Sequence, residues 1–250
     1  MPLDFPTVAV ALGTVFLISF TKGVLGGGFA ILGIPLLALV MDPISAGALL
    51  APLFCVTDIF ALRYWRASTW SKPDLAVLVP AQLAGIGAGF LAMSLLDRRY
   101  VAIAIALVTL NFAGLWFWRG GKVTQQPRST AKGLTAGFVS GVGSMLAHSG
   151  GPPVAMYLLP LGLPKAMYAG TTFLFFLVGN FTKVAPWLVL ADPQPHLWLL
   201  MGLCLPMIPL GIWVGWREHE RLDQRQLYRA CYALLVVVAA KLLWDGVTAL

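Results

Sequence analysis

Long apolar runs make up most of the chain, separated by short polar stretches or by clusters of glycine and proline. The runs cover approximately residues 5–22, 28–41, 44–62, 74–96 and 100–118, then 133–147, 152–163, 166–190, 197–216 and 227–248. A run of about 20 apolar residues matches the ~30 Å hydrocarbon core of a bilayer. None alternates apolar and polar positions as the strands of a membrane barrel do. The pattern predicts an all-α polytopic membrane protein with about eight to ten membrane segments. The first two runs of each half are short, near or below the ~17 residues of a normal span. Each such pair is either a broken or hairpin helix pair that crosses only partly, or two tilted spans.

Two of the interruptions share an unusual shape. The first, FTKGVLGGGFAILGIP, runs from Phe20 to Pro35, and the second, FVSGVGSMLAHSGGPP, from Phe138 to Pro153. A continuous helix gains nothing from three consecutive glycines, each costing roughly 1 kcal/mol against alanine. A helix that breaks and turns its backbone toward a cavity does. Pro35, Pro152 and Pro153 mark the far edges of these breaks.

The halves read as one unit used twice. An offset of 126 pairs Pro80 with Pro206, Gly85 with Gly211, Gly89 with Gly215, Asp97 with Asp223, Arg99 with Arg225 and Trp118 with Trp244. At the breaks an offset of 118 pairs Phe20 with Phe138, Gly23 with Gly141, Gly33 with Gly151 and Pro35 with Pro153. The division is a first transmembrane repeat at 1–118, a basic linker at 119–131 and a second repeat at 132–250. Charge then sets orientation. The loops around 63–72, 119–132, 163–165 and 217–229 hold twelve Lys and Arg, against Arg98 and Arg99 alone on the other side. By the positive-inside rule the first set is cytoplasmic, the linker included. Both termini then lie outside, each half crosses an odd number of times, and the repeats are inverted. Inverted repeats with interrupted helices are a plan of secondary transporters, with the site near the midplane.

Composition agrees. Hydrophobic residues are 59% and charged residues 11% of the chain, with mean hydropathy +0.83, against roughly 25% charge in soluble domains. The net charge of +7 belongs to the loops and does not indicate nucleic acid. Cys55, Cys204 and Cys231 sit in apolar segments at unrelated spacings and read as buried thiols, not as a disulfide or metal framework. The N-terminus MPLDFPTVAV lacks a basic n-region and reads as mature chain. Tyr64, Trp65, Trp70, Trp116 and Trp118 fit interfacial belts, Gly85, Gly87 and Gly89 a small-residue packing face, and Gln82 and Asn111 helix-to-helix glue.

Few polar residues remain within the apolar runs, and charge at membrane depth is costly and usually functional. Lys241 lies near the end of the last run and snorkels. Lys22 and Lys183 do not reduce to that reading, although each can instead reach an interface or neutralise a buried acid. Asp58 is the one acid well inside a run; it is a proton carrier or the counter-charge of Lys22. Asn180 holds the equivalent place in the second half. His148 is either a proton-exchanging group or a neutral ring satisfied by carbonyls at the break. Thr21, Ser140, Ser144, Ser149, Thr171 and Thr172 can donate to a ligand oxygen or bond their own backbone.

A helix break leaves unpaired amides at the positive end of the helix dipole. Glycine lets a ligand approach them, and such amides bind carboxylate, phosphate or sulfate-like groups. With Lys22 added, the ligand type is a small oxyanion. A metal would need clustered ligands, and the interior offers only Asp58 and His148; no cofactor is indicated.

The chain resembles the TauE/SafE family of membrane permeases, the sulfite exporters, over nearly its whole length. The resemblance rests on KGVLGGGFAILGIPLLALV, its echo GVGSMLAHSGGPPVAMYLLPLGLP, and the two-half layout around a basic linker. It implies transport of sulfite, organosulfonates or related small anions across a bacterial inner membrane. The matching positions are Gly26, Gly27, Gly28 and Pro35, with Gly150, Gly151, Pro152 and Pro153. Ser144, Met145 and Leu146 stand opposite the triple glycine, so a site shared between halves is chemically unequal. The reading is a secondary transporter working by alternating access. Thr21, Lys22, the first-break glycines, Ser144, Ser149, Gly150, Gly151 and Lys183 hold the anion, and Asp58, His148 and Asn180 serve coupling or gating. The first break carries anion affinity and the second is the moving or proton-sensitive partner. The chain is not read as an enzyme: adjacent His148 and Ser149 make a poor nucleophile–base pair. A membrane scaffold that only packs helices is the other alternative. Membrane lipids are the remaining partners, and a homo-oligomer is compatible with the sequence.

Overall fold

The computed structural model describes residues 4–25, 30–62, 67–95 and 125–218, with isolated positions between 100 and 118 and between 236 and 244. Among the described residues the chain is helical throughout, without a strand. Helix α1 (Phe5–Leu25) is followed by a 3-10 turn (Ala30–Leu32), the short α2 (Gly33–Leu37), α3 (Pro43–Ala61) and α4 (Lys72–Leu95). After the linker come α5 (Thr130–Ala147), α6 (Gly151–Leu158), α7 (Lys165–Ala191), α8 (Pro195–Cys204) and α9 (Met207–Glu218). Among the described residues, five stretches are long and apolar enough to cross a membrane: Phe5–Gly23, Pro43–Ala61, Lys72–Leu95, Ala166–Ala191 and Pro195–Glu218. The last of these is divided at Leu205–Pro206 into α8 and α9. Most of the apolar runs at 100–118 and 227–248 lie outside the described residues, as do Asp97, Arg99, Asp223, Arg225, Cys231 and Lys241.

Local chemistry explains the helix starts. Asp42 caps α3, its Oδ1 accepting from the amides of Ile44 at 3.1 Å and Ser45 at 3.0 Å, with Pro43 pre-set for the first turn. Asp4 Oδ1 likewise accepts from the Thr7 amide at 3.2 Å ahead of α1. Helix α5 ends at His148, whose φ of 51° puts it in the left-handed region, and α6 begins three residues later. The second break is therefore a real interruption of the backbone.

Helix α3 is the centre of the molecule. Its span is 67% buried, whereas the other four are between 33% and 39% buried. Buried Leu49, Leu50, Leu53 and Phe54 of α3 meet Ile18, Leu37, Met145, Trp187 and Leu200 in one core. Outward-facing Leu91, Leu95, Val189, Leu199, Trp213 and Trp216 leave large apolar surfaces exposed. That much exposed hydrocarbon suits a lipid surround.

Three helix pairs dominate the packing: α1 with α9, α4 with α5, and α3 with α7. Glycine permits the first two crossings. A Cβ on Gly141 would sit 2.2 Å from the Gln82 carbonyl oxygen and 2.9 Å from Gly85 Cα; one on Gly23 would sit 2.5 Å from the Ile212 oxygen and 3.1 Å from Gly215 Cα. Gly85 and Gly89 thus lie on a packing face, but Gly87 does not, because space around it is open. A stride of two places neighbours on different sides of a helix. Gln82 is not a hydrogen-bonding glue either: both amide atoms lack partners among the described residues, and the side chain fills the notch over Gly179. Asn111 is exposed. Cys55 and Cys204 are free and buried.

Candidate functional site

Four helices bring the conspicuous polar residues to one place. Helix α1 supplies Lys22 in its last turn, and α3 supplies Asp58 in its last two turns. Helix α7 supplies Asn180 and Lys183, three residues apart and therefore on one face, and α5 supplies Ser144 and His148 at the break. These six side chains, with Ile18, Phe54, Gly151, Thr172, Phe173 and Phe176, line a cavity of about 60 Å³. A space of that size holds a few waters. Its lining combines apolar side chains with basic, acidic, amide and hydroxyl groups.

Asp58 has 0% exposure and two donors. Lys22 Nζ pairs with its Oδ1, and Asn180 Nδ2 donates to Oδ2 at 2.6 Å. The carboxylate therefore ties α1, α3 and α7 together, joining residues of both halves. Of the two sequence readings of Asp58, the counter-charge of Lys22 is the contact formed.

Lys183 is placed differently. At 1% exposure it is as buried as the core leucines. Its Nζ donates to Ser144 Oγ at 3.2 Å and stands 5.2 Å from the centre of the Phe54 ring, in cation–π range. Among the described residues no carboxylate lies within 4 Å of it. Thr172 Oγ1 and His148 Nδ1, both on the cavity wall, have no hydrogen-bond partner among the described residues. The cavity thus contains a buried amine with no carboxylate within 4 Å among the described residues, beside unused polar groups.

His148 sits between Phe54 at 4.9 Å and Trp187 at 5.3 Å, ring centre to ring centre. Its Nε2 donates to the Gly47 carbonyl at 3.2 Å. Gly47 is required there, because a Cβ would lie 2.2 Å from the Trp187 ring. A backbone carbonyl of α3, rather than one at the break, thus holds the His148 ring.

The remaining sequence candidates divide. Gly151 lines the cavity. Thr21 donates to the Ile18 carbonyl at 2.9 Å and Ser149 to the Gly143 carbonyl at 3.1 Å, so both hydroxyls are used locally. Gly150 packs under Ser140, whose Oγ donates to the Gly150 carbonyl at 2.6 Å. Pro35 is buried in α2, and Pro153 lies in a separate groove with Lys132 and Tyr157. Gly26, Gly27, Gly28 and the side chain of Pro152 lie outside the described residues.

Sequence reasoning missed Phe54, because a phenylalanine in an apolar run carries no signal of facing a cation. It also missed a second polar cluster. Asp74, 1% exposed, accepts from Ser71 Oγ at 2.5 Å, Tyr157 Oη at 3.0 Å and Arg128 Nε at 3.2 Å. The Ser71 amide in turn donates to Thr171 Oγ1 at 2.8 Å. One carboxylate at the start of α4 thereby fastens the linker to α6 and α7.

The sequence model of the family described as Sulfite exporter TauE/SafE matches residues 11–242. No curated protein and no solved structure matches the chain.

Proposed function

The chain belongs to the sulfite exporter TauE/SafE family, and from that premise we propose that it is a secondary transporter of a small oxyanion such as sulfite or an organosulfonate. The observation that carries the reading is Lys183, a buried ammonium with a hydroxyl partner and no carboxylate. Burying an uncompensated charge is expensive, and an anion in the cavity removes that cost. Ser144 and Thr172 supply hydroxyl donors beside it, and Lys22 lines the same cavity. The anion centre is therefore placed nearer the second half than glycine content suggests. A cavity of about 60 Å³ is far below the ~300 Å³ or more of sites for drug-sized ligands, which favours an inorganic oxyanion or a very short sulfonate.

Transport proceeds by alternating access between inverted halves, in a bacterial inner membrane with the linker on the cytoplasmic side. Several observations support the inverted arrangement. Helix α1 packs on α9 as α5 packs on α4, which is the same contact with the halves exchanged. The glycines at the two crossings are the pairs related by offset in the sequence: Gly23 with Gly141, Gly85 with Gly211 and Gly89 with Gly215. The site lies where the halves meet, and Asp58 is the residue best placed to carry a proton if flux is proton-coupled.

Purified protein in liposomes, tested against a panel of small anions with and without a pH gradient, checks the proposal. Wild type moves sulfite or its analogues, and Lys183→Gln reduces flux at least tenfold. Equal flux in the two proteins sinks the assignment of Lys183. Absence of flux for every anion sinks the transporter reading.

A further inference from the structure

The cavity has a definite charge count. With both amines protonated, Lys22 and Lys183 contribute two positive charges and Asp58 one negative charge, which leaves one positive charge before any ligand enters. His148 adds nothing while its Nε2–H is committed to the Gly47 carbonyl and Nδ1 is bare. A monovalent anion brings the total to zero. A divalent anion leaves one negative charge in a buried cavity, where unbalanced charge is strongly disfavoured.

Resting on the transporter reading above, we propose that the site selects for a net single negative charge and that a divalent oxyanion binds together with one more proton than a monovalent one, the extra proton residing on Asp58. The balance is simple: the proton adds to a carboxylate oxygen, the Lys22–Asp58 ion pair is released, and Lys22 turns its charge to the ligand. Asn180 holds Asp58 in either state, because its amide donates through Nδ2 to a carboxylate oxygen and can accept through Oδ1 from a carboxylic acid. Asp58 acts in the empty protein as a tethered substitute for the anion's second charge.

Among the described residues, the groups facing Asp58 are those of the cavity and its neighbours. Lys22 comes from α1, Cys55 from α3 itself, His148 from α5, and Asn180 and Lys183 from α7. Helices α2, α8 and α9, also packed on α3, place no ionisable group among the cavity's described lining residues. Protonated Lys183 presents the same single charge to either kind of anion. The difference between a monoanion and a dianion therefore isolates Asp58.

Calorimetric titration of the purified full-length protein with methanesulfonate and with sulfate tests this, since the two are similar in size and keep fixed charges of one and two near neutral pH. One extra co-bound proton makes sulfate affinity fall about tenfold more per pH unit than methanesulfonate affinity. Asp58→Asn abolishes the difference and gives sulfate binding that follows the methanesulfonate profile. The double variant Lys22→Gln with Asp58→Asn, which strands no charge, keeps the slopes equal with weaker binding of both ions. Parallel slopes in wild type overturn the proposal, as does a steeper sulfate slope that survives in Asp58→Asn. Methanesulfonate binding without any sulfate binding at acidic pH also overturns it. If neither anion binds at any pH, the transporter reading itself falls.

Discussion

Asp58 with two donors and Lys183 with one neutral acceptor are unequal partners, and their inequality has consequences for stability as well as binding. Lys22→Met strands a carboxylate that is 1% exposed, whereas Asp58→Asn strands an ammonium that retains 17% exposure. Breaking a buried pair costs on the order of 3–5 kcal/mol when the remaining charge has no route to water, and less when it does. Thermal melts of the two variants in detergent should therefore place Lys22→Met clearly below Asp58→Asn. The reverse order would mean that Lys22 has no water-facing escape. Ser144→Ala and Thr172→Val remove hydroxyls from the cavity wall, each with an expected loss of roughly 1 kcal/mol of anion binding, readable as a several-fold rise in half-saturation concentration. The polar members of this site were legible in the sequence because charge and amide groups inside apolar runs are conspicuous. The pairing of Asp58 with Lys22 was among the sequence readings, but the bond from Asn180, 122 residues away, was not legible. Phe54 was invisible for the opposite reason: nothing about it differs from its apolar neighbours.

The elements were easier to anticipate than their interruptions. The run at 166–190 became α7 at Lys165–Ala191, and the run at 44–62 became α3 at Pro43–Ala61. The run at 197–216 did not stay whole, because the chain turns at Leu205–Pro206, while α4 continues through its counterpart Pro80. Proline removes a helix hydrogen bond at both positions, and hydropathy alone does not tell which one the surrounding packing repairs. The glycine crossings yield a direct contrast. Gly141→Ala forces α4 and α5 apart, because its Cβ would overlap backbone, with an expected cost of about 1–3 kcal/mol. Gly87→Ala meets open space and is expected to be neutral or to stabilise by up to about 1 kcal/mol through helix propensity. Melting temperatures of the two alanine variants measure the contrast, and similar losses in both would contradict the packing described.

For the whole molecule the membrane class and the family were legible because they depend on composition, run length and motif. How the halves engage was not, since it depends on which glycine face meets which. The linker is held by Asp74 through Arg128, and the halves are joined more firmly by α1–α9, α4–α5 and α3–α7. Residues 1–124 and 125–250 expressed as separate chains in one cell are expected to co-purify and recover transport. Either chain alone should be degraded, and a stable isolated half would refute mutual dependence. The α1–α9 pairing also fixes a schedule for biosynthesis. Helix α1 leaves the ribosome first, yet the surface it packs against is the last of the described helices. At roughly 5–20 residues per second, α1 waits on the order of ten to forty seconds in the bilayer before that partner arrives. Helix α3, which carries the Asp58 partner of Lys22, is made well before the end of that interval. The ion pair of the finished site is thus available as a temporary clasp that keeps the first helix in register while the rest of the protein is made.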